Sequence, residues 1–421
     1  MNELIPIIPF IVLLLSIAIA PLINEEWWLK NYPYFAFSAA IIVGLYVVFI
    51  QNNFELLWHT FHEYVSFIAL LFSLYVVSGG IFIKIRGKST PLKNVMMLGL
   101  GAIIANFFGT TGAAMLLIRP FIEANKYRFK AYHTVFFIFI VCNVGGMLLP
   151  IGDPPLFLGY IKGVDFFWTL INLSEFWIII NLYLLTLFYI IDRYYYLKIP
   201  VEERKTVKDS GEKFIMEGLH NIVYLIVIII AVFITKPIFL REIIMILVAI
   251  LSFTKTNKEI HLKNHYSFAP IIEVAILFIG IFISMIPALE YVGKNSSMFG
   301  LKSAGSFYWF TGVFSSFLDN APTYLNALSA AMGNSHLSIN SVADVNIFQN
   351  LHIYELEAIS VAAVAFGAMT YIGNGPNFMV KSIVLHKGER APNFISYILK
   401  YSLTILLPIY FIIWIIFFNN H

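Results

Sequence analysis

Cysteine is almost missing from this 421-residue chain: Cys142 is the only one. Its isolation excludes an internal disulfide and any cysteine-based metal cluster, and a lone thiol in an apolar run reads as a small buried hydrophobe. Charge is scarce as well. Asp, Glu, Lys and Arg make up 12% of the residues against 59% apolar, where soluble domains carry roughly 25% charge. No polar stretch is long enough for a soluble domain, the longest running from Arg193 to Leu219. Phosphate loops, zinc-ligand spacings and nucleophile triads do not occur, nor does a nucleotide-driven module or a basic patch for nucleic acid. These absences point to a membrane protein that is not an enzyme, has no resident cofactor and works on gradients. The first residues lack a positive n-region and a small-residue cleavage site, so Leu4–Ala20 reads as a retained span.

What the chain does have is apolar runs of bilayer length. Crossings are expected at Leu4–Ala20, Tyr34–Ile50, Tyr64–Ile83, Thr134–Tyr160, Trp177–Ile191, Asn221–Thr235, Phe239–Thr254, Ala269–Pro287, Ala358–Leu385 and Phe394–Phe418. Two further segments behave differently. Val95–Ile118 carries Asn106 and Gly109-Thr110-Thr111-Gly112 at its centre and has basic residues at both ends. It reads as a re-entrant hairpin, or as one kinked span. A second hairpin is expected over Gly305–Met332, with Ser315 to Thr323 at its tip. The fold class is therefore an all-α integral membrane protein of about ten transmembrane helices plus two re-entrant hairpins.

Two crossings are interrupted at membrane depth. Gly152-Asp153-Pro154-Pro155 breaks one, since the prolines remove backbone donors and bar the helix. Gly373-Asn374-Gly375-Pro376 breaks another 221 residues later, with Asn377 following. A broken helix repeated once per half predicts two inverted repeats, residues 1–192 and 220–421, joined by a cytoplasmic linker at 193–219. Charge placement agrees. With the N-terminus outside and both hairpins re-entrant, 22 of the 27 Lys and Arg fall on the cytoplasmic side. Both termini are then outside, and the expected location is a bacterial inner membrane.

Two carboxylates, Asp153 and Asp319, are expected at midplane, where a charge costs roughly 2.5–3.5 kcal/mol on insertion scales. Asp153 either serves an ion site or caps the break before Pro154. Thr110, Thr111, Ser315, Ser316 and Asn320 offer hard oxygens for a small cation, or bond back into their own helices. Asn143, ten residues before Asp153, faces the cavity or a neighbouring helix. Arg119 has two readings, snorkelling to the interface or holding an anionic substrate. His59 and His62 read as a wet outer loop.

Taken together, NFFGTTGAAMLLIRP with PIGDPPLFLGY, then FSSFLDNAPTYLN with YIGNGPNFMVK, resemble the ion transporter superfamily of NhaD-type sodium/proton antiporters, arsenite-efflux proteins, citrate carriers and sodium/dicarboxylate symporters. The resemblance spans nearly the whole chain. It implies a cation site from Asn143 and Asp153 with Ser315 and Asn320, and a tendency to form homodimers. Two features depart from the pattern: the first tip lacks an Asp, and Pro154-Pro155 replaces a hydroxyl pair. The expected function is a monovalent cation/proton antiporter in which Asp153 and Asp319 alternately hold Na⁺ and protons. The alternative is Na⁺- or H⁺-coupled transport of citrate or a dicarboxylate, with Thr110, Thr111, Asn320, Asn374 and Asn377 as anion donors and Gly152 and Gly373 opening the backbone.

Overall fold

A computed structural model describes residues 3–86, 89–202 and 213–420. Lys88, Arg204, Lys205 and Lys208, all counted as cytoplasmic charges, lie outside the described residues, as do residues 203–212 of the proposed linker. The helices are α1 (Ile5–Ile23), α2 (Glu25–Ile50), α3 (Phe54–Gly79), α4 (Pro91–Asn125), α5 (Ala131–Ile140), α6 (Pro154–Lys162) and α7 (Trp168–Leu197). They continue as α8 (Asn221–Val232), α9 (Leu240–Lys255), α10 (Lys258–Lys263), α11 (Ala269–Lys294), α12 (Ala304–Phe317) and α13 (Asn320–Asn334). The chain ends with α14 (Val342–Leu351), α15 (Ile353–Phe366), α16 (Gly375–His386) and α17 (Phe394–Phe418). Among the described residues seven helices, α4 included, are long and apolar enough to cross a bilayer, or eight if the bent pair α14 and α15 counts as one. Of the ten expected crossings six are continuous helices of that length, since α8 and α9 have only 12 and 16 residues and two crossings are split.

The apolar helices sort by what surrounds them. On α1, Ile11, Val12, Leu15 and Ile19 stay exposed, and α9 exposes Ile243, Leu247 and Ile250. Such all-round apolar helices belong against lipid. By contrast α5 is buried on every side from Tyr132 to Ile140, and α15 from Ala358 to Phe366. The interrupted crossings are thus the core, and the continuous helices wrap them. Small residues bring α2 and α11 together, since a Cβ on Gly280 would come within 2.8 Å of the Ala36 backbone.

Although its helical hydrogen bonding is nearly continuous, α4 is a hairpin. Gly109 has φ 71° and ψ 157°, a conformation that only glycine adopts without strain. The ends on either side meet: the N–H of Ser89 donates to the Ala124 carbonyl at 2.8 Å, and Asn94 and Asn125 exchange amide hydrogen bonds at 2.8 Å. Asp192 at the end of α7 locks this base, accepting from both terminal nitrogens of Arg128, from Tyr132 at 2.6 Å and from Asn94 at 3.0 Å. The second hairpin, α12 and α13, closes likewise where Asn334 donates to the Leu301 carbonyl at 2.6 Å.

The two hairpins open at opposite ends of the molecule. The base of the first lies where α5 begins; the base of the second lies beyond the end of α6, where Lys162 reaches Asn340 at 3.4 Å and Asp165 and Gln349 exchange bonds at 2.9 and 2.7 Å. From there α15 and α16 return, so that Lys387 comes within 3.9 Å of Glu123 on the first hairpin. Loops expected on one side also meet: Gln51 with Glu290, Glu63 with Lys162, and Asn264 with the carbonyls of Gly79 and Ile81.

Glu25–Trp28 is the first turn of α2, capped by Asn24, whose side chain accepts from the Trp27 N–H. Two features differ from expectation. Val342–Leu351, expected as loop, is a helix lying at 99° to α15. Two stretches expected as loop and helix end pair instead as an antiparallel ribbon, β1 (Phe82–Arg86) with β2 (Lys213–Glu217), Lys84 opposite Ile215. Two strands cannot form a core of their own, so the ribbon is an appendage to the helical body.

The hairpin makes a direct prediction. In a Cys142→Ser background, Asn94→Cys with Asn125→Cys is joined by a short bifunctional thiol reagent, seen as a mobility shift after cleavage between the two sites. A straight helix would hold these positions roughly 45 Å apart, and no cross-link would form.

Candidate functional site

Two backbone breaks face each other at the centre, and each is closed by side chains in place of water. At the first, helix stops after Ile140 and resumes at Pro154, where proline suits the first helical position. Asn106, on the first hairpin, accepts from the N–H groups of Leu148 and Leu149 at 2.8 and 3.3 Å and donates to the Gly145 carbonyl at 2.7 Å. Trp177 donates to the same carbonyl at 3.0 Å. At the second, Thr370 accepts from the N–H groups of Ile372 and Gly373 and donates to the Ser316 carbonyl of the second hairpin. Asn377 donates to the carbonyls of Gly367 and Thr370 at 2.8 and 2.9 Å. Irregular backbone survives at this depth because these groups replace the helix bonds it lost.

Both breaks fold over themselves at a glycine pair six residues apart. A Cβ on Gly146 would lie 2.7 Å from the Gly152 carbonyl oxygen, and one on Gly373 would lie 2.7 Å from that of Gly367. Gly152 and Gly373, marked in the sequence as openings of the backbone, are therefore crossing points.

Asp153 sits between the breaks and is 1% exposed. One carboxylate oxygen accepts from the Thr110 hydroxyl at 2.8 Å and from the Asn374 amide at 3.2 Å; the other accepts from the Asn320 amide at 2.8 Å. Its side chain makes no cap bond to α6. The four groups come from both hairpin tips and both breaks. Around them, Asn374 also donates to Asn143 Oδ1 at 3.2 Å, and Asn143 donates to Asn377 at 2.7 Å. Among the described residues no Lys, Arg or His pairs with Asp153, and Asn320 Oδ1 is buried without a partner. A negative charge here is held by neutral dipoles alone, and that arrangement favours a proton or a small hard cation beside the carboxylate. No cluster of three or more His, Cys, Asp or Glu occurs among the described residues, so the donor set is oxygen-rich and weakly charged, unlike a transition-metal site.

Not every expected residue joins this centre. Asp319, expected to share the ion with Asp153, is half-buried and caps α13 by accepting from the Ala321 N–H at 3.0 Å; the turn-capping role considered for Asp153 belongs here. Ser315 donates to the Ala363 carbonyl at 2.6 Å, tying the second hairpin to α15, and Ser316 bonds back to Gly312. Thr111 is half-buried and lines a cavity beside Asp153. That cavity holds about 60 Å³ and is walled by Thr110, Thr111, Pro150, Asp153, Tyr75 and Ile271, among others. Such a space suits an ion with a few waters. Asn106 was legible only as a polar residue in the hairpin; its contact with the break 42 residues on gives no local sequence signal.

With this geometry in place, comparison with known proteins becomes informative. A family model described as "Putative citrate transport" matches residues 1–418. The chain belongs to this family. A search among curated proteins returned no match. Membership of the citrate-transport family fits an all-helical membrane body with a central polar site, and it makes the chain a transporter in the broad sense of that family.

The crossings of glycine backbone can be tested. Gly152→Ala and Gly373→Ala force a methyl group onto backbone oxygen and are expected to cost about 3 kcal/mol or more, lowering the melting temperature in detergent and abolishing transport. Gly375→Ala, with nothing within 4 Å of its added carbon, is expected to leave stability unchanged.

Proposed function

We propose that this member of the citrate-transport family is a secondary active transporter that carries a citrate-class carboxylate together with Na⁺ or H⁺, and that Asp153 binds the coupling cation. The observation behind this reading is a single buried carboxylate ringed by Thr110, Asn320 and Asn374, with Asn320 Oδ1 left over as a further donor of electron density. An anionic substrate beside an ionised Asp153 is repelled, by about 2 kcal/mol per charge at 8 Å and an effective dielectric constant of 20. A cation or proton on Asp153 removes that repulsion, so substrate binding and cation binding favour one another. Coupling then follows from electrostatics, without a separate relay.

Alternating access would exchange the two halves, residues 1–192 and 220–421, as inverted repeats around this centre, with both termini outside. Hairpins that open at opposite ends support that arrangement. Monovalent cation/proton antiport is the second reading. It is favoured by the same neutral ring around one carboxylate, which can hold Na⁺ or a proton in turn.

Proteoliposomes separate the two. Labelled citrate accumulating under an imposed Na⁺ or proton gradient supports cotransport. Sodium-dependent collapse of a pH gradient, with no citrate uptake, supports antiport and rejects the first reading. In either case Asp153→Asn abolishes coupled transport in protein that still purifies as a folded species; full activity in that variant removes Asp153 from the mechanism. Asn320→Ala, which takes away one donor to the carboxylate and one free oxygen, is expected to weaken cation affinity about 10–100-fold.

A further inference from the structure

Arg119 lies ten residues after Gly109, on the return arm of the first hairpin, one turn beyond Met115. Met115 packs with Tyr75 and Ile271, and those two residues form part of the wall of the cavity beside Asp153. Thr111, Met115 and Arg119 repeat every four residues, which places them on one face of the arm. Helical side chains lean toward the N-terminal end of their own helix, and on this arm that direction leads back to the hairpin tip. Two turns of rise, roughly 10 Å, separate Arg119 from Gly112, and a long side chain leaning that way shortens the gap.

The guanidinium is charged and has no counter-ion among the described residues. Nη1 is buried without a hydrogen-bond partner, and among the described residues Arg119 forms no ion pair or hydrogen bond. Its one electrostatic neighbour is Tyr75, whose hydroxyl is already committed to the Ser267 carbonyl at 2.8 Å. Other cations of this face are engaged: Arg128 with Asp192, Lys387 with Glu123, Lys381 over the Tyr371 ring at 4.6 Å. A cation kept in the membrane-embedded body with a buried, unsatisfied nitrogen is costly unless something of opposite charge arrives. Arg119 is half-buried, so part of the side chain reaches the surface while Nη1 is turned inward and left without a partner.

We infer that Arg119, which stands outside the wall of the cavity beside Asp153 on the arm that leads to it, is the carboxylate-recognition residue of the site, its guanidinium taking one carboxylate of a di- or tricarboxylate whose remaining end reaches Thr110 and Thr111 at the tip. Planar, forked donors match a carboxylate in a way that an ammonium does not. The inference rests on the carboxylate-carrying reading of the site and names the residue that selects the anion; Asp153 keeps the cation.

Equilibrium binding of labelled citrate to the purified protein in nanodiscs, with saturating coupling cation, tests this without transport. Wild type binds, Arg119→Gln loses at least 100-fold in affinity, and Arg119→Lys falls between. Equal affinity in wild type and Arg119→Gln overturns the role of Arg119 while leaving the carboxylate reading intact. No citrate binding by wild type overturns both. A second readout needs no variant: citrate is expected to protect Arg119 from an arginine-selective dicarbonyl reagent, followed on its peptide by mass spectrometry. Unchanged modification with citrate present rejects the contact.

Discussion

Peptide groups inside a bilayer must find partners within the protein, and this molecule is built around two places where a helix fails to supply them. Glycines and prolines keep the chain out of α-helix between Ile140 and Pro154 and between Phe366 and Gly375, so peptide groups in each break have no α-helix to join. Asn106, Trp177, Thr370 and Asn377 take over that role. Asn106 and Trp177 reach the first break from the first hairpin and α7, while Thr370, inside the second break, donates to Ser316 of the second hairpin, so a docked hairpin helps to hold each break. Hairpin, break and central polar cluster are therefore one cooperative unit, and the lipid-facing helices are its wrapping.

Asp153 inherits its position from this construction. Its carboxylate is surrounded by the tips of both hairpins and by the opposite break, so a change in how the hairpins dock changes the number of dipoles on the charge. On the proposed reading a bound cation and the docked conformation are thereby linked, which is what a gradient-driven carrier requires. That Asp153 has no ion-pair partner among the described residues matters for the same reason. A resident Arg or Lys would satisfy the carboxylate permanently, whereas neutral amides and a hydroxyl leave it responsive to an ion that comes and goes.

Much of this was legible in the chain before any coordinates. The two breaks, the two hairpin tips and the cluster of Thr110, Asn143, Asp153, Asn320, Asn374 and Asn377 all followed from polar and helix-breaking residues placed where hydrocarbon should exclude them. Pairings between loops agree with sides assigned from the distribution of Lys and Arg. What escaped was decided by tertiary contact. Asp319 looks like Asp153 in sequence, yet it has a free helix N-terminus next to it at Ala321 and caps that, while Asp153 precedes two prolines that offer no N–H to cap. The β1–β2 ribbon was missed because alternation is a weak signal over so few residues.

The central claim is that the ionisable group at the meeting of the two breaks is Asp153, and that the transported cation or proton acts on it. Difference infrared spectroscopy of the purified protein in lipid, recorded with and without the coupling cation, addresses this directly. The account predicts a carboxylic-acid carbonyl band that disappears as the cation displaces the proton, and that is absent from Asp153→Asn. A band that responds to the cation in the same way in Asp153→Asn would place the coupling group elsewhere and contradict the account.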